Sequence, residues 1–425
     1  MQPFIPPSFN LPLAWAVDFT LPVLLKQVQN LDAVVVKPED VQMLRSIRQD
    51  RLLYFSNHPT QSEPPVSYYV ANLMGARFHF MAARQVFEWG GGMVGRLIQS
   101  IGAFSVLAGA ADRESIKMAR NILSQPGGKL VVYPEGEPTS GENDNLLPFQ
   151  PGAAQLGIWA MEDALKNDPA ADITVLPTFV KYVMSGTEAR LRSDLHTAVK
   201  RVEQKLGVDP GNRNLLRRFL AAGRVMLETA EKEYGIPMAA EKDYDYRVGR
   251  LRHAILDNVA ERLGLTSYDK KSDAIVKLRH LLAVLEMISV KFPDPRLPSP
   301  SDQDLAWANR ECQKAYDFIV IKPEYLLSRP TAERFYEWLA RFETYLFGQT
   351  NPRPRRAHVF FAKPFRLSEY HADYKKEKKA TVERLTARLR GDTQALLDQA
   401  IQLTDPLVRP YDIGGPERPD AKLDS

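Results

Sequence analysis

Residues 52–65 read LLYFSNHPTQSEPP, an apolar run that stops at Asn57-His58, with an acid, Glu63, five residues after the histidine. The run has the length and composition of a buried strand, and a helical pattern follows near 64–74. A histidine between a strand and a helix stands where a parallel sheet exposes its functional groups. Imidazole is the usual general base near neutral pH. A carboxylate beside it can accept the Nδ1 proton and stabilise the imidazolium. Taken alone, the pair reads more readily as polar punctuation at the end of a strand.

Working outward, the same alternation continues to Tyr182. RFHFMAA (77–83), AFSVL (103–107), KLVVYP (129–134) and ITVLPTFVKY (173–182) read as further strands. Helical segments near 84–100, 114–125 and 151–167 separate them, with Asp112 as a helix N-cap. This predicts an α/β layered domain with a mostly parallel sheet. From about 186 to 350 the periodicity turns helical, with basic and acidic faces and Pro-rich breaks at 293–300 and 352–354. RAHVFFAKPF (356–365) reads as one more strand, and a charged helix follows at 370–403. The predicted organisation has an amphipathic or docking segment at 1–50 and an α/β core at 51–185. A helical insertion follows at 186–352, then a returning strand and C-terminal helix at 353–405 that complete the core, and a loose tail at 406–425.

Composition bounds the function. Apolar residues at 44% and charged residues at 25% are those of a soluble globular protein. The net charge of +4 does not mark a nucleic-acid binder, and it is compatible with an anionic membrane surface. The single cysteine, Cys312, excludes an intrachain disulfide and a cysteine metal cluster, and reads as a buried thiol in a reducing cytoplasm. LPLAWAVDFTLPVLLKQV (11–28) is broken by Asp18 and Pro22 and falls short of an uninterrupted membrane span. It reads either as an interfacial segment, with Trp15, Phe19, Leu21, Val23, Leu24 and Leu25 at a headgroup boundary, or as a helix docked on the core.

Three more stretches carry chemistry. In VVYPEGEPTSGENDNLLPFQPGAAQLG (131–157), Pro134 and Gly136 force Glu135 out of a strand end, and Gly136 lets backbone N–H groups approach a ligand. In IGAFSVLAGAADRES (101–115), Arg113 stands by a helix N-terminus, a position suited to phosphate. In VLPTFVKY (175–182), Pro177 implies an edge, a bulge or a site-lining position. Each has an ordinary structural reading as well: an acidic surface loop, a capping arginine, an edge-strand proline.

In this order and spacing the four stretches resemble the glycerolipid acyltransferase family, best known from the 1-acylglycerol-3-phosphate acyltransferases. The resemblance rests on Asn57, His58 and Glu63 as a His-x4-acid motif, on Gly102, Ala103 and Phe104, on Pro134, Glu135 and Gly136, and on Leu176 and Pro177. It covers about 52–182 and implies an acyltransferase-like layered fold. It also implies acyl transfer from a CoA or acyl-carrier-protein thioester to a hydroxyl of a lysophospholipid-like acceptor. His58 would be the base and Glu63 its orienting acid. Asn57, Gly102, Phe104, Arg113, Glu135, Gly136, Pro177 and Lys181 would serve substrate binding. The implied mechanism uses no cofactor, no metal and no acyl-enzyme. The implied partners are the thioester donor, acyl carrier protein, the lysolipid acceptor and a membrane surface on the cytoplasmic side, and no nucleic acid.

Two departures bear on the acceptor. Glu63 stands where the family more often has Asp, and the basic residues usual after the second and third motifs are absent: Val106, Leu107 and Ala108 in one place, Glu137-Pro138 in the other. A phosphate would need Arg113, Lys181 or Arg84 in compensation. Acyl transfer is therefore better supported than lysophosphatidate as acceptor. A non-catalytic lipid-binding or scaffold protein on the same fold is the alternative, and thioester hydrolysis is a third reading.

Overall fold

The computed structural model describes residues 4–107, 112–136, 142–237, 244–320 and 323–409. In chain order the elements are α1 (Leu11–Gln29), β1 (Leu31–Val35), α2 (Pro38–Ser46), β2 (Arg51–Ser56), α3 (Glu63–Met74) and β3 (His79–Ala83). A 3-10 segment (Arg84–Gly92) leads to α4 (Met93–Ser100), β4 (Ala103–Val106), α5 (Arg113–Ser124), β5 (Lys129–Val132), α6 (Pro151–Asn167) and β6 (Ile173–Met184). Then come α7 (Glu188–Leu206), α8 (Leu215–Glu233), α9 (Tyr244–Arg262), α10 (Ala274–Ser289), α11 (Asp302–Val320), α12 (Pro323–Ser328) and α13 (Ala332–Phe347). The chain returns through β7 (Arg355–Phe361) and β8 (Phe365–Arg366) to α14 (Ser368–Lys376) and α15 (Lys378–Ala400).

These elements divide into two compact units. One comprises Met1–Val183, Ser289–Phe292 and Pro354–Leu403, the other Met184–Ile288, Pro293–Arg353 and Thr404–Ser425. The first is the α/β unit. Its sheet runs β1-β7-β6-β2-β5-β3-β4, with β8 pairing β6 outside that path. β2 is parallel to both β5 and β6, with Tyr54 level with Val131 and Leu176. β3 is parallel to β4 and β5, β1 is parallel to β7, and β8 is antiparallel to β6.

Alternating side chains of the central strands enter two apolar cores, one on each face of the sheet. Leu53, Phe55, Val175 and Phe179 pack with α5, α6 and α15 side chains such as Leu123, Met161 and Leu389. Leu52, Tyr54, Leu176 and Val180 pack on the other face with Leu21 and Leu25 of α1 and Val66 and Val70 of α3. Burial on both faces explains why these strands read as continuous apolar runs.

Several expectations are corrected here. The segment 31–35, read as part of a docking region, is a strand of the sheet, because β7 offers it a parallel edge. The 356–365 strand is interrupted at 362–364, and the 370–403 helix breaks at Glu377. Pro177 is in an interior strand, level with Phe55 of β2. Its missing N–H is tolerated where the second neighbour of β6 changes. β8 pairs with 174–175, and the N–H of Ala362, just past β7, donates to the Pro177 carbonyl at 2.9 Å.

Residues 11–28 form one continuous helix across Asp18 and Pro22. Among the described residues α1 is the one helix long and apolar enough to cross a membrane by length and composition. Asp18 is turned inward, where Arg77 donates to both its oxygens at 2.8 and 2.5 Å and Tyr68 donates at 2.6 Å. Leu21 and Leu25 are buried, whereas Trp15 and Phe19 are 63% and 88% exposed. One helix thus carries both readings of this segment, core docking on one stripe and an apolar face to solvent on the other.

The second unit is helical. Two cores serve it, one among α8, α9, α10 and α11 and one among α7, α8, α12 and α13. Cys312 is buried in the first, where burial pushes its thiol up to about 12. Arg218, among the basic residues of this region, is buried and bidentate to Glu203. Residues 404–409 are also tied down: Leu407 N–H donates to the Pro330 carbonyl, and Arg192 donates to the Leu407 carbonyl. The rest of the segment read as a loose tail, 410–425, lies outside the described residues.

Candidate active site

β2 delivers His58 to the C-terminal edge of the sheet, two residues past its end, and α3 begins with Glu63. The pair is in contact, with His58 Nδ1 2.8 Å from Glu63 Oε2. A fully buried carboxylate must be hydrogen-bonded to stay charged, and Glu63 has four donors. Its Oε2 also accepts from Thr60 N at 3.0 Å, and its Oε1 accepts from Thr60 Oγ1 at 2.7 Å and Tyr182 Oη at 2.5 Å. Burial alone would push this carboxyl up. The bonds from His58, Tyr182 and Thr60 outweigh it and hold Glu63 below its usual range. With Nδ1 donating to the carboxylate, Nε2 is the basic nitrogen, and the ring is 15% exposed. Tyr133 stacks on the imidazole at 4.4 Å between centroids, so the ring plane is set on one face and by Glu63 at its edge.

The third motif supports the same histidine from behind. Glu135 is buried and accepts from His58 N at 2.8 Å with Oε1 and from Leu147 N at 2.8 Å with Oε2. It therefore fixes the main chain of the His58 loop and the approach to α6. Burial pushes the Glu135 carboxyl up to about 7, against the two N–H bonds that favour its charge. Gly136 has φ +86°, a conformation that favours glycine.

The other predicted substrate-binding residues divide by burial. Asn57 is buried and closes a two-way bond with Val180: its Oδ1 accepts from Val180 N at 2.7 Å and its Nδ2 donates to Val180 O at 3.1 Å. Phe104 is a core residue, edge-on to Phe4. Gly102 is required by packing, since a Cβ there would lie 2.4 Å from the Phe9 ring. Lys181 is buried in an ion pair with Asp144, so no phosphate reaches it without breaking that pair. Asn57 and Lys181 share one cause: the loops after β2 and β5 bond to the end of β6 through Asn57, Asn143 and Asp144.

Arg113 is exposed and lines an open groove of about 960 Å³ between α5 and α6, with Lys117, Arg120 and Trp159. Arg84 is buried and donates to Glu88 at 2.6 Å. Glu137 and the loop 108–111, on which the acceptor argument also turned, lie outside the described residues.

The arrangement adds residues that the motifs did not single out: Thr60, Tyr133, Asn143, Asp144 and Tyr182. Tyr182 stands five residues after Pro177, and Asn143-Asp144 lie in the polar stretch after the third motif. Polar residues beside a motif were the available signal, but apart from Thr60 their partners are distant in sequence.

Residues 34–181, about a third of the chain, match the family model described as Acyltransferase. No curated protein matches the chain.

Proposed function

We propose, from the match of residues 34–181 to the family model described as Acyltransferase, that the protein moves a fatty acyl group from a CoA or acyl-carrier-protein thioester to the hydroxyl of a lysophospholipid-like acceptor. The observation that carries this reading is the His58–Glu63 contact, 2.8 Å at Nδ1, with Nε2 left basic at the end of a parallel sheet. His58 Nε2 takes the acceptor's hydroxyl proton as its oxygen bonds to the thioester carbonyl carbon. Glu63 stabilises the imidazolium formed. The tetrahedral intermediate collapses, the C–S bond breaks, and the departing thiolate recovers the proton from His58. Ester and free thiol are the products. No side chain forms a bond to the acyl group.

The enzyme would work at the cytoplasmic face of a membrane. The support is the exposed stripe Trp15, Phe19 and Val23 on α1, with Asp18 held inward on the opposite side. Tryptophan and phenylalanine on one face of a helix suit the headgroup boundary.

The test supplies purified protein with palmitoyl-CoA or palmitoyl-acyl-carrier protein and a panel of lysophospholipids, read by mass spectrometry. Acyl product from the wild type and none from His58→Ala is expected. Turnover retained by His58→Ala removes the base. Lipid binding without thioester cleavage for any donor returns the protein to the lipid-binding class.

A further inference from the structure

Resting on His58 as the base, we infer that Tyr182, braced by Arg355, is the positioning residue that holds Glu63 against the imidazole. Both lie beyond the segment matched to the acyltransferase family. The argument begins with the acid. A glutamate has one more rotatable bond than an aspartate, so its carboxylate must be anchored at both oxygens to keep one of them on Nδ1. Thr60 bonds both oxygens, but it belongs to the same loop and moves with it. Tyr182 belongs to β6, inside the sheet, and its hydroxyl donates to Oε1 at 2.5 Å. It is therefore the bond that ties the catalytic loop to the rigid frame.

Tyr182 is itself held on three sides. It is buried, and its N–H donates to Asn143 Oδ1 at 2.6 Å. The Arg355 guanidinium lies 4.0 Å from its ring centroid, a cation–π contact. Arg355 Nη2 also donates to Ser62 Oγ at 2.8 Å, on the residue immediately before Glu63. One arginine from β7 thus spans the anchoring tyrosine and the start of α3. Burial also keeps the phenol protonated, as a donor must be.

Tyr182→Phe keeps the ring and its contact with Arg355 and removes only the hydroxyl. Without that donor the Glu63 carboxylate is no longer held on Nδ1, and the imidazolium loses part of the charge that stabilises it. The titration of the His58 ring, followed by NMR of 15N-histidine-labelled protein with His58→Gln to assign the signal, is expected to move to lower pH. The acid limb of kcat/KM should move with it, and kcat should fall about ten- to hundredfold, as when a histidine loses an orienting partner, with KM for palmitoyl-CoA unchanged. An unshifted titration overturns the inference, and so does a lower kcat with an unmoved pH profile, which marks general damage. Should Tyr182→Phe fail to fold, Glu63→Asp decides. The shortened side chain cannot span His58 and Tyr182 together, so it should lose turnover; wild-type turnover and titration in Glu63→Asp overturn the inference. His58→Gln separates the two levels: if it retains turnover, the base reading fails, while the NMR result still judges the anchor.

Discussion

Asn57 and Asn143 grip the same residue of β6 from two different loops. Asn57 exchanges two bonds with the Val180 peptide, and Asn143 Nδ2 donates to the Val180 carbonyl at 2.8 Å while its Oδ1 accepts from Tyr182 N at 2.6 Å. The loops after β2 and β5, which carry His58 and Glu135, are thereby pinned to one stretch of strand. Asn57→Ala takes the partner from the buried Val180 N–H, while the Val180 carbonyl keeps Asn143 Nδ2, a cost of about 1–3 kcal/mol. Asn57→Asp should be worse, because it turns a carboxylate toward the Val180 carbonyl. Urea denaturation is expected to rank stability as wild type, Asn57→Ala, Asn57→Asp.

The buried pair Lys181–Asp144 gives a prediction that separates structure from substrate binding. Removing one member strands the other's charge, which costs about 3–5 kcal/mol. Lys181→Met should therefore lower the urea midpoint sharply. Lys181→Met with Asp144→Leu should recover much of the loss. A phosphate-binding lysine would behave otherwise: Lys181→Met would leave stability intact and raise KM for phosphate-bearing acceptors.

Glu135 makes stability depend on pH. Its folded value near 7 lies above the ordinary carboxylate range, so the folded state binds this proton more tightly than the unfolded chain. The stabilisation this gives is present below the unfolded value and is lost as pH rises through about 7. Melting temperatures of wild type and Glu135→Gln, measured from pH 5 to 8.5, should therefore differ in slope. The wild type should lose ground relative to the variant as pH rises.

Phe19, at 88% exposure on α1, is an unusual place for an aromatic ring in water. Phe19→Ser should leave the unfolding free energy within about 0.5 kcal/mol of wild type, the usual range for a surface substitution. The same change, with Trp15→Ser, should weaken co-sedimentation with vesicles of phosphatidylglycerol and phosphatidylethanolamine. Binding that is unchanged in the double variant removes α1 as the membrane contact.

Much of the α/β unit was legible because it is local. Each apolar run between helical patterns became a strand, from LLYFS to ITVLPTFVKY, since a strand buried on both faces needs only length and apolar content. β1 was missed: LDAVV is short and carries Asp32, and β7, which pairs it, lies more than three hundred residues away. VLPTFVKY leaves Pro177 an edge, a bulge or a site-lining position; β6 is interior, because β8 and then the end of β7 share its second side. Lys181 read as a cation available to phosphate, and no feature of VLPTFVKY points to Asp144.

The sequence by itself determined the order of strands and helices, the place of His58 past a strand, and its acid five residues on. Those depend on apolar periodicity and on neighbours along the chain. Tertiary structure decided which polar groups face a substrate and which face each other. Asn57, Glu135 and Lys181 look equally available in the sequence, but buried polar groups must find partners. Here the partners come from other loops: Val180, the His58 and Leu147 backbone, and Asp144. Tyr182 became the anchor of Glu63 for the same reason, since only the folded sheet brings β6 to the start of α3.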